Sequence, residues 1–479
     1  MRLSELAYET ISPDPQIDGL TADSRTVSRG FLFAALAGVN ADGAKFIADA
    51  ENNGAAAVLA KPGVKSSLPL IVDKEPRRRL AQMAARFFPR QPELIAGVTG
   101  TNGKTSTARF ASHLWSLLGE NAGSIGTLGA ESANYSRPLA HTTPDPVTLH
   151  ETLDGMARAG VTHLAMETSS HGLAQYRADA VRFQIAAFTN ITQDHLDYHA
   201  DFADYFAAKG RLFSDLLVNG GIAVVNMDGE GAEDVVSLAR ARGIATIQTG
   251  VAGRDLRLLK CTPHLGGLTL EVETNNKVYI IDAPLIGAFQ AENVLLAAGI
   301  VIASGASAET VVPMLDRIVG ARGRMQFVAT IADAGVYVDY AHTPDAVATA
   351  LAAIRPHARG RVIAIVGAGG DRDRAKRPLM GAAANANADI VIVTDDNPRS
   401  EDPAAIRAEI LSACPAAQEI GDRAEAIATG VAMLEEGDVL LIMGKGHETG
   451  QQVGDQLLPF DDADIACEAV ANRMKELGR

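Results

Sequence analysis

Cysteine is scarce in this chain: Cys261, Cys414 and Cys467 stand far apart among 479 residues. An odd count at such spacing excludes a disulfide framework and a zinc cluster, so the three are expected to be reduced thiols in the core. A hydrophobic leader is missing from the start, MRLSELAYETISPDP. The longest apolar stretch, about 294 to 303, falls well short of the ~18 residues that span a bilayer. A cytoplasmic protein without membrane insertion is expected. Excess positive charge is missing as well: 43 basic residues face 58 acidic ones, a net charge of −15. That balance argues against a general nucleic-acid binder, which needs a positive field along the phosphates. Any anionic ligand must be held by local devices: backbone N–H groups, helix N-termini, magnesium and a few placed Arg or Lys. Repeats and low-complexity tracts are absent.

What is present is an ordinary globular composition, 47% apolar and 21% charged, which excludes disorder as the bulk state. At about 150 residues per domain the length predicts roughly three domains. The first 80 or so residues hold short strands and a Gly/Asp-rich turn at 38–43, and end in a basic, helix-like run from Arg77 to Arg86. Pro89 and Pro92 then disfavour further helix and mark a boundary near 88–93. Beyond it, short apolar segments (94–98, 162–167, 184–190, 221–226) alternate with amphipathic ones, the rhythm of a parallel sheet with its ligands at the carboxyl ends of the strands. Segments 268–273 and 277–282 read as an antiparallel hairpin. A second boundary falls at 320–323, after which strands are expected at 336–340, 361–366, 388–393 and 438–443. The expected fold is α/β in three domains, 1–90, 91–322 and 323–479: a small α/β domain, a P-loop-type parallel-sheet domain and a Rossmann-like domain.

The strongest local signal is Thr99-Gly100-Thr101-Asn102-Gly103-Lys104-Thr105-Ser106, between a predicted strand and a predicted helix. Its glycines let successive N–H groups face a phosphate, the helix N-terminus adds its dipole, and Lys104 neutralises the outer phosphates. Thr105 would hold magnesium. The general phosphate-loop pattern would have its first glycine where Val98 stands. Glu167 ends one predicted strand and His195 follows another, where a carboxylate and an imidazole can meet a metal; singly they read as a helix-cap or turn residue and a surface histidine. Lys209 by itself reads as a solvated lysine on a helix. Asp396-Asn397-Pro398-Arg399 by itself reads as an Asx turn. Gly367-Ala368-Gly369-Gly370 does not match the full dinucleotide fingerprint, which argues against an NAD dehydrogenase.

Together these motifs resemble the Mur ligases: TGTNGKT, METSSHGLAQYR (166–177), TNITQDHLDYH (189–199), YFAAKGRLF (205–213), LIGAFQAEN (285–293), GRMQ (323–326), VDYAHTPD (338–345), GGDRDRAKRPLMG (369–381), DDNPR (395–399) and GKGHE (444–448). The resemblance spans essentially the whole chain. It implies ATP-dependent peptide-bond formation in peptidoglycan precursor synthesis, with meso-2,6-diaminopimelate added to UDP-N-acetylmuramoyl-L-alanyl-D-glutamate through an acyl phosphate. By resemblance, two magnesium ions are held by Thr105, Glu167, His195 and a carbamylated Lys209. ATP is held by residues 100–106 with Asn293, Arg324 and Asp339. The UDP-sugar dipeptide is assigned to Ser24, Asn40, Ala41, Thr142, Thr143, Ser169, Gln175 and Arg177, which makes the first domain a uridine-binding module. Diaminopimelate is assigned to Arg372, Asp396, Asn397, Pro398, Arg399, Gly444 and Glu448.

Here the chemistry of the acceptor adds to the resemblance. Diaminopimelate is lysine with a further carboxylate on its distal carbon, so a selective site should place a fixed cation there, and Arg399 provides one. His342 can assist chemistry or serve the fold. Gln290, Gln326, Arg322, Val39 and His141 depart from residues common in the family. A monomer is expected. The related folylpolyglutamate synthetases and a catalytically silent nucleotide-binding protein are the rival readings. The uridine-type first domain with DDNPR disfavours the former, and intact Lys104, Thr105, Glu167, His195 and Lys209 disfavour the latter.

Overall fold

The predicted alternation of apolar and amphipathic segments becomes a parallel sheet centred on Leu94–Thr99. A computed structural model describes residues 1–38, 42–192 and 198–477. They form two compact units, Met1–Leu256 with Leu296–Ser307, and Arg257–Leu295 with Ala308–Arg479.

The first unit begins with a four-stranded parallel sheet, in the order Gly19–Thr21, Phe31–Ala34, Ala57–Ala60, Leu70–Val72. The basic run becomes the helix Pro76–Phe87, with Pro76 at its first position, where the missing N–H costs nothing. Leu80, Met83 and Ala84 pack on Leu32, Leu59 and Ile71. The helix stops before Pro89, as the proline pair requires.

The second sheet of this unit runs Ala245–Gly250, Leu217–Asn226, Phe183–Phe188, Leu94–Thr99, His163–Glu167, Ala122–Gly126, all parallel. Gly129–Ser132 and Tyr135–Arg137 then add an antiparallel edge. Leu94–Thr99 lies between strands that come much later in the chain, so its carboxyl end is a topological switch point, where α/β sheets bind ligands. The helix Lys104–Leu117 follows directly and buries Thr107, Phe110, Ala111, Leu114 and Trp115, one face at helical spacing. Trp115 Nε1 donates to Ser304 Oγ at 2.9 Å.

In the second unit, the predicted hairpin forms as Gly267–Thr274 and Lys277–Ala283, extended by the antiparallel strand Leu256–His264. A six-stranded sheet follows, in the order Gln326–Ile331, Ala334–Asp339, Val439–Met443, Val362–Val366, Ile390–Val393, Gln418–Glu419. Only its first pair is antiparallel. Cores lie on both faces: Val347, Leu351, Met380 and Ile410 pack on one, and Ile427, Val431, Ala466 and Val470 on the other. The cysteine expectation needs correction: Cys414 is buried, but Cys261 is only half-buried and Cys467 is exposed on the helix Asp462–Glu476. That helix covers the sheet with one face only, which leaves Cys467 on the other. Among the described residues, no helix is long and apolar enough to cross a membrane.

Candidate functional site

The phosphate-loop sequence sits where its flanking elements predict, between the strand Leu94–Thr99 and the helix Lys104–Leu117. Gly100 has φ +147°, and a Cβ there would lie 1.9 Å from Thr189 Oγ1, so both conformation and space require glycine. Thr189 and Asn190 hold the loop from the next strand. Thr101 N–H donates to Asn190 O at 2.8 Å, Asn102 N–H to Asn190 Oδ1 at 3.0 Å, and Thr189 Oγ1 to Asn102 O at 2.6 Å. Lys104 Nζ donates to the carbonyls of Gly100 and Thr101 at 3.0 and 2.8 Å.

Lys209, on the helix Phe202–Arg211, is not the solvated lysine its local sequence suggests: it is 2% exposed. Its Nζ donates to Gly100 O at 2.7 Å and lies 4.4 Å from the Tyr205 ring centroid. Tyr205 OH meets Thr101 Oγ1 at 3.0 Å. Two ammonium groups therefore converge on one loop carbonyl.

Glu167 ends the strand His163–Glu167 and is buried. Its Oε2 accepts from Thr105 Oγ1 at 2.9 Å and its Oε1 from Thr127 N–H at 2.9 Å. Burial pushes this carboxyl upward from its ordinary value, against the Thr127 N–H and the charge of Lys104. Gly126 makes room for it, because a Cβ there would lie 1.9 Å from Glu167 Oε1.

A hydroxyl and amide network adjoins Glu167 and joins five residues predicted for one ligand. Thr142 Oγ1 meets Thr127 Oγ1 at 3.0 Å, and Thr143 Oγ1 donates to Glu167 O at 3.1 Å. Ser169 N–H donates to Thr143 Oγ1 at 3.0 Å, while Ser169 Oγ caps the helix Ser170–Ala174. Arg177 Nη1 donates to Thr143 O at 2.9 Å and Nη2 to Gln175 Oε1 at 2.8 Å. Ser24 is not part of this network; it opens a turn capped by Asp23 in the first sheet's region. Asn40, Ala41 and His195 lie outside the described residues.

In the second unit, Asp339 accepts from Met325 N–H at 2.7 Å and from Ala341 N–H at 2.8 Å. Its carboxylate thus ties the 323–326 loop to the strand end, and burial raises its protonation range. The Arg324 guanidinium lies 5.0 Å from the Tyr340 ring centroid. His342 Nδ1 donates to Tyr340 O at 2.8 Å, which gives it a role in the fold of this turn. Asn293 Nδ2 donates to Gln290 Oε1 at 3.0 Å, both buried on the helix Phe289–Ala303.

The Asp396–Arg399 turn is mostly buried rather than a surface Asx turn. Asn397 Oδ1 accepts from Lys445 Nζ at 3.0 Å and Gln452 N–H at 2.8 Å, and Asn397 Nδ2 donates to Glu448 Oε2 at 2.8 Å. Gln451 Nε2 donates to Asp396 O at 2.7 Å. Arg399 has φ +52° and donates from Nη1 to Gly370 O at 2.7 Å, which fixes the guanidinium beside the 369–373 loop. Arg372 on that loop is exposed. Gly444 has φ +121°, and a Cβ there would face Asp396 Oδ2 at 3.4 Å.

Ion pairs brace these loops from behind. Arg377 grips Glu401 at 2.8 Å and Glu409 at 2.9 Å. Arg423 makes a fully buried pair with Asp462 at 2.7 Å while bonding Met443 O at 3.0 Å. Thr127, Gln451, Arg423 and Asp462 also hold these loops, yet nothing in their local sequence singles them out, whereas Arg377 and Lys445 lie inside the motifs at 369–381 and 444–448.

Comparison with known proteins identifies the family. Family models match three segments: the Mur ligase family catalytic domain at 16–88, the Mur ligase middle domain at 98–301 and the Mur ligase glutamate ligase domain at 323–446. A UDP-N-acetylmuramoyl-L-alanyl-D-glutamate--2,6-diaminopimelate ligase of Bradyrhizobium diazoefficiens is 48% identical, over 99% of this chain and 100% of that one. The protein of the same name from Caulobacter vibrioides is 49% identical, over 98% of each. A solved structure with that enzyme name superposes with a TM-score of 0.77 at 32% identity, over 99% of both chains.

Proposed function

The chain belongs to the Mur ligase family, and from that premise we propose that it uses ATP to join meso-2,6-diaminopimelate to the D-glutamate γ-carboxylate of UDP-N-acetylmuramoyl-L-alanyl-D-glutamate. The observation that carries this reading is the Asp396–Arg399 turn, in which Arg399 is fixed on Gly370 O while Asn397, two residues earlier, is held by Lys445 and bonds Glu448. Such a site suits a ligand end that is both carboxylate and ammonium.

On the nucleotide side, the loop N–H groups and the dipole of the helix Lys104–Leu117 would receive the phosphates, with Lys104 as counter-charge. Asn293, Arg324 and Asp339 are proposed for the rest of ATP. The Thr105 hydroxyl and the buried Glu167 carboxylate, 2.9 Å apart, are hard oxygen donors that fit magnesium. With His195 and a carbamylated Lys209 they would hold two ions. When bound, magnesium offsets the repulsion between the γ-phosphate and the attacking carboxylate. The γ-carboxylate oxygen attacks the γ-phosphorus and ADP leaves. The amine of the incoming amino acid then attacks the acyl carbon, loses a proton, and expels phosphate with the original carboxylate oxygen. Ser24, Asn40, Ala41, Thr142, Thr143, Ser169, Gln175 and Arg177 are proposed to position the UDP-dipeptide. Arg399 and Arg372 are proposed as partners of the amino-acid carboxylates, and Glu448 as partner of its distal ammonium.

Phosphate release with ATP and the UDP-dipeptide, compared with meso-diaminopimelate, L-lysine or no acceptor, tests the reading. Turnover should require the dipeptide and favour diaminopimelate. Equal rates with both amino acids, or release without the dipeptide, would overturn it.

A further inference from the structure

Lys445 is a buried ion that the proposed reaction does not use: its side chain is 0% exposed. Its Nζ lies 3.0 Å from Asn397 Oδ1, 3.5 Å from Glu448 Oε2 and 3.6 Å from Asp396 Oδ1. Asp396 Oδ1 has no hydrogen-bond partner of its own, so the ammonium is its near compensation. Lys445 also settles which way the Asn397 amide points. Because Oδ1 accepts from Lys445 and from Gln452 N–H, Nδ2 must face Glu448, where it donates at 2.8 Å. Both contacts to Glu448 fall on Oε2, which leaves Oε1 for a ligand cation.

Resting on the reading above, we propose that Lys445 is a positioning residue that sets amino-acid selectivity by supplying a buried positive charge between Asp396 and Glu448. The two carboxylates alone would form an anionic pocket, and such a pocket favours the most cationic amino acid. L-lysine lacks the distal carboxylate and so carries one more net positive charge than meso-diaminopimelate. The Lys445 ammonium removes that advantage, and it holds Asn397 so that an N–H, rather than a carbonyl, is presented on the Glu448 side.

The test compares kcat/KM for meso-diaminopimelate and for L-lysine in the wild type and in Lys445→Met, which keeps length and removes charge. The ratio favouring diaminopimelate should fall about ten-fold, with KM for ATP and for the UDP-dipeptide within two-fold of wild type. An equal loss with both amino acids would mark Lys445 as merely structural and overturn the proposal. If Lys445→Met does not fold, Asp396→Asn decides. Removing an anion while the lysine stays should shift the ratio the other way, towards diaminopimelate, and an unchanged ratio refutes the charge argument. The wild type serves as control: no turnover with diaminopimelate would defeat the functional reading itself, a result distinct from either variant's.

Discussion

Gly126→Ala tests the role of Glu167 without replacing it. Gly126 lies in the strand Ala122–Gly126 and is not among the positive-φ glycines, so alanine suits its backbone. The obstacle is steric: the new Cβ would lie 1.9 Å from Glu167 Oε1, 2.4 Å from Cδ and 2.7 Å from Cγ. Ordinary carbon–oxygen contact needs well over 3 Å, so the carboxylate must retreat by more than an ångström. It then loses its bonds to Thr127 N–H and Thr105 Oγ1, both 2.9 Å. Hydrogen bonds to a charged group contribute about 1.5–3 kcal/mol each, but the displaced end of a flexible side chain recovers part of this elsewhere. A net stability loss of about 1–3 kcal/mol is expected, read from urea unfolding. The catalytic loss should be larger. Misplacing a reacting or charge-bearing group by about 1 Å costs roughly 100-fold in rate, so kcat for dipeptide-dependent phosphate release should fall about 100-fold in a folded protein. A folded variant with kcat within two-fold of wild type would refute the placement of Glu167 at the reaction centre.

Arg399→Ala should lose more than about 2 kcal/mol of transition-state stabilisation with diaminopimelate, because the guanidinium is already fixed by Gly370 O; steady-state kcat/KM checks this. Arg423→Met strands the Asp462 carboxylate, whose side chain is 0% exposed, and should cost about 3–5 kcal/mol in urea unfolding. Burial pushes His150 down to about 4 from its ordinary 6.5. The unfolded chain therefore takes up this proton first as pH falls, so stability is complete above about pH 6.5 and declines towards pH 4, by roughly 3 kcal/mol in all. In His150→Leu the melting temperature should fall less than in the wild type over that window.

The strand-and-loop rhythm was legible because parallel strands buried on both faces read as unbroken apolar runs, as in VIAIV at 362–366. Proline placement foretold the end of the helix Pro76–Phe87. Less legible was the antiparallel edge at 129–137, whose short strands contain Gly, Ala and Ser in place of a β-branched alternation. For the site, TGTNGKT could be read locally because a phosphate loop is a contiguous backbone device. Lys209 could not: its burial comes from contact with Gly100, 109 positions away in the chain. Separation in sequence also hides the Arg423–Asp462 pair, whose partners stand 39 positions apart. Thr127 escaped notice because its N–H, not its side chain alone, meets Glu167, and any residue type supplies an N–H.

The most direct measurement follows the oxygen that the proposed chemistry moves. With UDP-dipeptide labelled by oxygen-18 in the glutamyl γ-carboxylate, the released phosphate should carry one labelled oxygen per turnover in the presence of ATP and diaminopimelate. Phosphate free of the label, with peptide formed at the normal rate, would contradict an acyl phosphate and the arrangement of Lys104, Thr105 and Glu167 built around it.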